Sequence, residues 1–407
     1  MLQQVCNDLG AELFISTYYT TPLETPSVFM GYDMIPEVLG ADLKIPMWRE
    51  KRRAIEHATS YLAISHSTKK DLAKIYTIEP DNITVAHCGV SSIFQPTCAS
   101  DIAQFRCKYG ITNPYFIIGS TTGYKNIGLF VKAFALLPVK TGIDIVCTGG
   151  NRLDPELASL LLNTKVHYLS LDDRELSIAY SQALALVYPS RYEGFGMPIL
   201  EAMACGCPVI TCANSSLIEV GGEAAVYVND NVFDMVDALC DILKPSIRDR
   251  SIERGIQQAQ KFSWKTMANS IETEIIKVSL DHLQLSNTNL IVFLNWDKDE
   301  TAIAEEFMSI AIRLADCFTG TLLVDTGSNP DNYEVVLDFI FNAIIQISFN
   351  TDIDLEEHFK IMPLGKLAPI QWSHLKAYLT GRIACEMEDS QQVSEIGYSS
   401  VSTYVFP

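Results

Sequence analysis

No run of about eighteen uncharged apolar residues occurs in the chain, so no membrane-spanning helix is expected. The opening residues, MLQQVCNDLGAEL, have neither the basic flank nor the apolar core of a secretory signal. The expected location is therefore cytoplasmic. Basic residues are scarce as well: 30 lysines and arginines stand against 49 acidic residues, a formal charge of -19. A sequence-independent grip on nucleic acid needs cations to replace phosphate counterions, so nucleic acid is not an expected partner, although a local basic pocket stays open. The 11 cysteines follow no disulfide framework, which fits a reducing compartment. Only Cys205 and Cys207 lie close together, and their setting, ACGCPVITC, marks them as buried structural residues. None of the seven histidines has a second metal ligand at helical spacing, and His87 and His167, at strand ends, read as structural. There is no short internal repeat and no low-complexity tract.

What is present is an ordinary globular composition, 48% hydrophobic and 19% charged over 407 residues, enough for two or three domains. Strand-like and helix-like runs alternate, as in a parallel doubly wound sheet. In the first part strands are expected at 11–17, 27–32, 61–65 and 83–87, with helices at 48–59 and 67–76. HCGVSSIFQP, with Gly89 and Pro96, breaks the pattern and reads as an interdomain connection. A second series follows, with strands at 115–119, 143–148, 166–169, 184–188 and 208–212. Its helices fall at 126–137, 154–162, 173–182, 198–205 and across 231–260. After LQLSNTN a third region shows strands at 290–295, 320–325 and 359–363 and helices near 302–316, 333–347 and 370–378. It carries no recognisable motif.

The chemistry concentrates in PSRYEGFGMPILEAMACGCPVI, residues 189–210. A strand ends at Tyr188, the chain turns through Gly194 and Gly196, and Pro198 falls in the first turn of a helix, where it is best tolerated. Glycines there permit close backbone approach, and the helix start presents unpaired N–H groups and a positive dipole end. That is a cradle for an anion. Glu193, in the loop, and Glu201, expected in the first helical turn, can face one crevice. Beside an anion site, carboxylates are suited to accept hydrogen bonds from neutral sugar or ribose hydroxyls. The arrangement fits a sugar nucleotide.

This string resembles the signature of the retaining GT-B glycosyltransferases of glycosyltransferase family 4: a Glu, seven intervening residues and a second Glu within EGFGxPxxEAMAxGxPV. The resemblance implies that Glu193 contacts the donor sugar, Glu201 the ribose, and Gly194, Phe195, Gly196 and Met197 the sugar and diphosphate through their amides. Weaker similarities extend from about residue 11 to 275, including Cys147-Thr-Gly-Gly150, Leu171-Asp-Asp-Arg-Glu-Leu176, Ser215-Ser-Leu-Ile-Glu219-Val-Gly-Gly222 and Phe262-Ser-Trp264. The last is similar to the start of the helix that crosses back to the first domain. In the turn Gly119–Asn126 the family supplies an Arg and a Lys to the leaving diphosphate. Lys125 stands at the Lys position and Thr121 at the Arg position. Tyr32 stands where relatives often place a His before the Asp, so Tyr32 and Asp33 enter as cleft residues.

The resemblance implies an α/β fold of GT-B type. Two Rossmann-like domains are expected, the first (1–105) incomplete and the second (106–282) binding the donor and ending in the cross-over helix, followed by a small α/β accessory domain (283–407). It implies a retaining hexosyltransferase using a nucleoside diphosphate sugar, with no metal and no other cofactor, acting on a glycan or lipid-linked acceptor in envelope polysaccharide assembly. That setting adds the inner membrane face as a peripheral location. The resemblance implies an opening strand and Gly-rich loop that is not found before residue 11 here, so the expectation is either a partner chain completing the first domain or a truncated product. Thr121 and that missing half keep a rival open, a non-catalytic donor-binding subunit. An epimerase or phosphorylase would need other signatures.

Overall fold

The computed structural model describes residues 1–11, 13–17, 19–119, 123–138, 140–150, 152–162, 164–327, 332–351, 353–365 and 367–406. Two compact units divide the chain, Met1–Glu274 and Ile275–Pro407.

The first unit holds two parallel sheets. One contains β1 (Phe14–Ser16), β2 (Ser27–Gly31), β3 (Ser60–Ala63) and β4 (Ile83–Val85), in the order β1-β2-β3-β4. The other contains β5 (Tyr115–Ile118), β6 (Asp144–Cys147), β7 (Val166–Tyr168), β8 (Leu186–Tyr188), β9 (Val209–Cys212) and β10 (Val226–Val228). Its order is β10-β9-β8-β5-β6-β7. Every residue of β2, β3, β5, β6, β8 and β9 is buried. Helices cover both faces of such sheets, and that is why these strands read as unbroken apolar runs and not as alternating patterns. Phe116 of β5 packs edge-on against Phe130 and Phe134 of the helix Ile127–Leu136, with centroids 6.1 and 6.2 Å apart. These rings anchor the main core of the six-stranded sheet.

The helix Trp264–Leu280 follows, at the position of the expected cross-over helix. Its Glu274, buried, accepts hydrogen bonds from Ser60 of β3 and from Thr84 of β4, the latter at 2.7 Å. At the connection between the sheets, a Cβ on Gly89 would fall 2.0 Å from the Trp264 nitrogen, so only glycine lets the two crossing segments touch.

Ile275–Pro407 has its own parallel sheet: β11 (Asn289–Phe293), β12 (Thr321–Asp325), β13 (Lys360–Leu364) and β14 (Gly381–Ile383), in the order β13-β12-β11-β14. Its core joins Leu290, Val292, Phe307, Leu314 and Val336.

The pattern reading misses β10, β14 and the helices Ala99–Tyr109 and Ser390–Glu395. Three-residue strands carry too little periodicity to stand out. Ala99–Tyr109 buries a single residue, Phe105, so its sequence shows almost no apolar stripe.

Candidate donor site at the strand-order reversal

In the six-stranded sheet the order runs β5-β6-β7 one way and β8-β9-β10 the other. The reversal lies between β5 and β8, which pair directly through Ile117↔Leu186 and Ile118↔Val187. Adjacent parallel strands whose connections leave in opposite directions open a crevice at their carboxyl ends, the usual ligand position in such sheets. Two loops border that crevice. One follows β5 and carries Lys125; the other follows β8 and carries Glu193.

The loops meet through an ion pair. Lys125 Nζ lies 2.6 Å from Glu193 Oε1 and donates to the Tyr188 hydroxyl at 2.7 Å. Both charged side chains are largely shielded, with 15% and 9% exposure. Burial, with the Glu193 charge next, holds the Tyr188 phenol far above its usual range, so it stays neutral. Asn126, at φ 56°, turns the chain after Lys125 into the helix Ile127–Leu136. Gly196, at φ 103°, does the same ahead of Met197–Ala204. Only glycine adopts that second conformation without strain. Thr121 lies outside the described residues.

The loop Glu193–Gly196 is held from several directions. Ser216 Oγ donates to Glu193 O at 2.9 Å, and the Glu193 amide donates to Ser215 Oγ at 3.0 Å. From the first sheet's side, Ser65 and Thr68 hydroxyls donate to Gly194 O at 2.6 and 3.1 Å. The Tyr192 hydroxyl reaches Asp71 Oδ2 at 2.7 Å. A Cβ on Gly194 would sit 2.0 Å from Tyr32 O and 2.6 Å from Asp33 Cβ. Tyr32 and Asp33 thus lie directly against the loop, and Phe195 is buried between the loop and the ring of Phe262, 5.8 Å away.

Glu201 differs from its expected place. The helix starts at Met197, so Glu201 opens the second turn and not the first. Four residues on from the N1 position, Met197, it gains little from the dipole, which acts within the first turn. Burial, with Asp173 next, pushes its carboxyl up to about 7. Among the described residues no hydrogen bond to this carboxylate is found, in contrast to the paired Glu193.

Two arrangements escape sequence reading. Lys51, fully buried, donates to Asp33 O at 3.0 Å and to Glu37 Oε2 at 2.9 Å, while the Tyr76 hydroxyl holds Glu37 Oε1 at 2.9 Å. This network braces the Tyr32–Asp33 turn, and in sequence Lys51 is indistinguishable from its exposed neighbours Arg52 and Arg53. Glu219 caps the helix His66–Tyr76 from the other side of the cleft: its carboxylate accepts from the amides of His66 at 2.9 Å and Ser67 at 3.1 Å, and faces His87 Nε2 at 3.1 Å. Burial opposes its charge, but these bonds outweigh it and hold the carboxyl below its usual range. His167 pairs with buried Asp144 at 2.9 Å, and Cys205 and Cys207 are buried free thiols.

Residues 106–261 match the family model for glycosyl transferases group 1. These residues are a group 1 glycosyltransferase domain. The glycosyltransferase domain spans the six-stranded sheet and both loops of the crevice. The chain is 29% identical over 242 residues to O-antigen chain mannosyltransferase B of Escherichia coli, covering 56% of this chain and 64% of that protein. It is 30% identical over 224 residues to O-antigen chain mannosyltransferase RfbU of Salmonella typhimurium, covering 54% and 61%. It therefore spans less than two thirds of the length of these curated relatives. Among solved structures it is similar to WaaG, a glycosyltransferase involved in lipopolysaccharide biosynthesis, with a TM-score of 0.56, 17% identity and coverage of 68% and 80%. It is also similar to Anabaena Alr3699/HepE in complex with UDP and glucose, with a TM-score of 0.53, 18% identity and coverage of 61% and 71%. The fold is GT-B.

Proposed function

We propose that the chain transfers a hexose from a nucleoside diphosphate sugar to an acceptor hydroxyl, with retention of anomeric configuration. The observation that carries this reading is the Lys125–Glu193 pair at the reversal between β5 and β8. A donor entering the crevice exchanges that pair for its own groups. Lys125 turns to the diphosphate as a point charge, aided by the amides at the start of Met197–Ala204, and Glu193 accepts from the sugar hydroxyls. Glu201, without a hydrogen-bond partner among the described residues and partly desolvated, takes the ribose hydroxyls. The departing phosphate accepts the proton of the acceptor hydroxyl, so no side chain is assigned as general base. Positive charge at the leaving group comes from Lys125 and the helix start, and the reaction needs no metal.

The mannosyltransferase relatives favour a mannose nucleotide, with glucose as the alternative. Their O-antigen names support a glycan or lipid-linked acceptor and a setting in envelope polysaccharide assembly. The chain would then work in the cytoplasm or at the inner membrane face. No helix among the described residues is long and apolar enough to cross a membrane.

Glu193→Ala and Lys125→Ala should each reduce transfer at least about 100-fold, as losses of transition-state contacts do. Turnover close to wild type in both variants would overturn the site assignment. Donor binding in calorimetry, with neither hydrolysis nor transfer to any candidate acceptor, would instead establish the non-catalytic donor-binding subunit.

A further inference from the structure

The geometry points to a second site, bordering the donor loop but built from other side chains: a divalent transition-metal site formed by His66, His87 and Glu219. The three residues come from separate parts of the chain. His66 follows β3, His87 follows β4, and Glu219 lies in the helix Leu217–Gly221 after β9. Their ligand atoms all lie within 4.8 Å of one another. His87 Nε2 and Glu219 Oε2, 3.1 Å apart, are already close to the roughly 3.3 Å edge of a tetrahedral zinc site with bonds of about 2.0–2.1 Å. His66 has an exposed side chain, so it is free to close the remaining gap.

Two further features suit a cation. The carboxylate is oriented by the amides of His66 and Ser67, as metal-ligating carboxylates are by their outer-shell partners. The His87 ring packs against Phe195 and Phe262, with centroids at 6.1 and 5.6 Å, which gives the site an apolar wall. A bound ion takes the place of the direct His87–Glu219 contact, and water fills the fourth position. Two imidazoles and one carboxylate suit zinc, nickel or cobalt over calcium or magnesium. The nearby helix start repels a cation, but by less than about tenfold in affinity. The ion would tie the helix His66–Tyr76, whose Ser65 cap holds Gly194, to the helix beside the Glu193 loop. It would act as a clasp between the two halves of the first unit and takes no part in transfer.

The test is calorimetric titration of the full chain with zinc chloride, after alkylating the exposed thiols Cys98, Cys107 and Cys317. One zinc per chain with micromolar affinity is expected, along with a rise in Tm. His66→Ala alters only an exposed side chain and leaves its capping amide in place. It should weaken binding at least about tenfold, and His87→Ala should do the same. Circular dichroism of both variants distinguishes lost ligation from lost fold. No binding below about 100 μM, or equal affinity in folded His66→Ala, would overturn the proposal. Neither outcome depends on the assignment of sugar transfer.

Discussion

Glu201 shows how one carboxyl couples ligand and fold. With its acid form favoured up to about 7, the native protein holds a proton there that the unfolded chain releases from about 4.5 upward. Stability from this group is therefore complete below pH 4.5 and is lost as pH rises through 7, on the order of 3 kcal/mol in all. In the proposed binding mode, donor hydroxyls would reverse the preference, because they donate to the charged form. Donor affinity should thus rise between pH 6 and 8 while stability falls, and binding at pH 6.5 should release a proton. Calorimetry in buffers of differing ionisation enthalpy measures that release directly. Glu201→Gln should remove it and flatten the stability profile; a release unchanged in the variant would place the proton elsewhere.

At the level of elements, the loop Glu193–Gly196 is defined by what it touches across the cleft. Gly194 has no room for a methyl group against Tyr32 O, and that obstacle is backbone, which cannot rotate aside. Gly194→Ala should force the loop from the first sheet and lower transfer at least about tenfold, with a stability loss of about 1–3 kcal/mol. Gly128→Ala is the control. There a Cβ meets only Leu157 methyls at 3.6 Å within a helix, so the variant should be neutral or stabilised by up to about 1 kcal/mol in denaturant unfolding. The strong elements were legible in sequence because long apolar runs such as YFII and DIVC flank glycine turns. The loop Glu193–Gly196 and Lys125 were legible as motif positions, although their 2.6 Å pairing was not. His66, His87 and Glu219 were invisible together, since 152 or more residues of chain separate Glu219 from the segment Ser67 and His66 begin. Short-range spacing holds no trace of such a contact. The start of the helix at Met197 was displaced by one residue, and that shift was enough to move Glu201 out of the first turn.

For the molecule as a whole, the two compact units have separate sheets and separate cores. Differential scanning calorimetry should resolve two transitions, since chains of more than one domain depart from two-state unfolding. A nucleotide sugar at 100 times its Kd should raise only the transition of Met1–Glu274, by about 2.7 kcal/mol in stability. A single transition that moves as one with ligand would mean that the units unfold together. The neighbouring position of β5 and β8 also has a consequence for biosynthesis. Everything from β6 to the helix Asp173–Gln182 intervenes between them, so the crevice is assembled from distant contacts and closes late in folding. A chain still on the ribosome has no closed crevice to offer until the helix Met197–Ala204 has emerged, and until then the apolar edge of β5 waits for its partner.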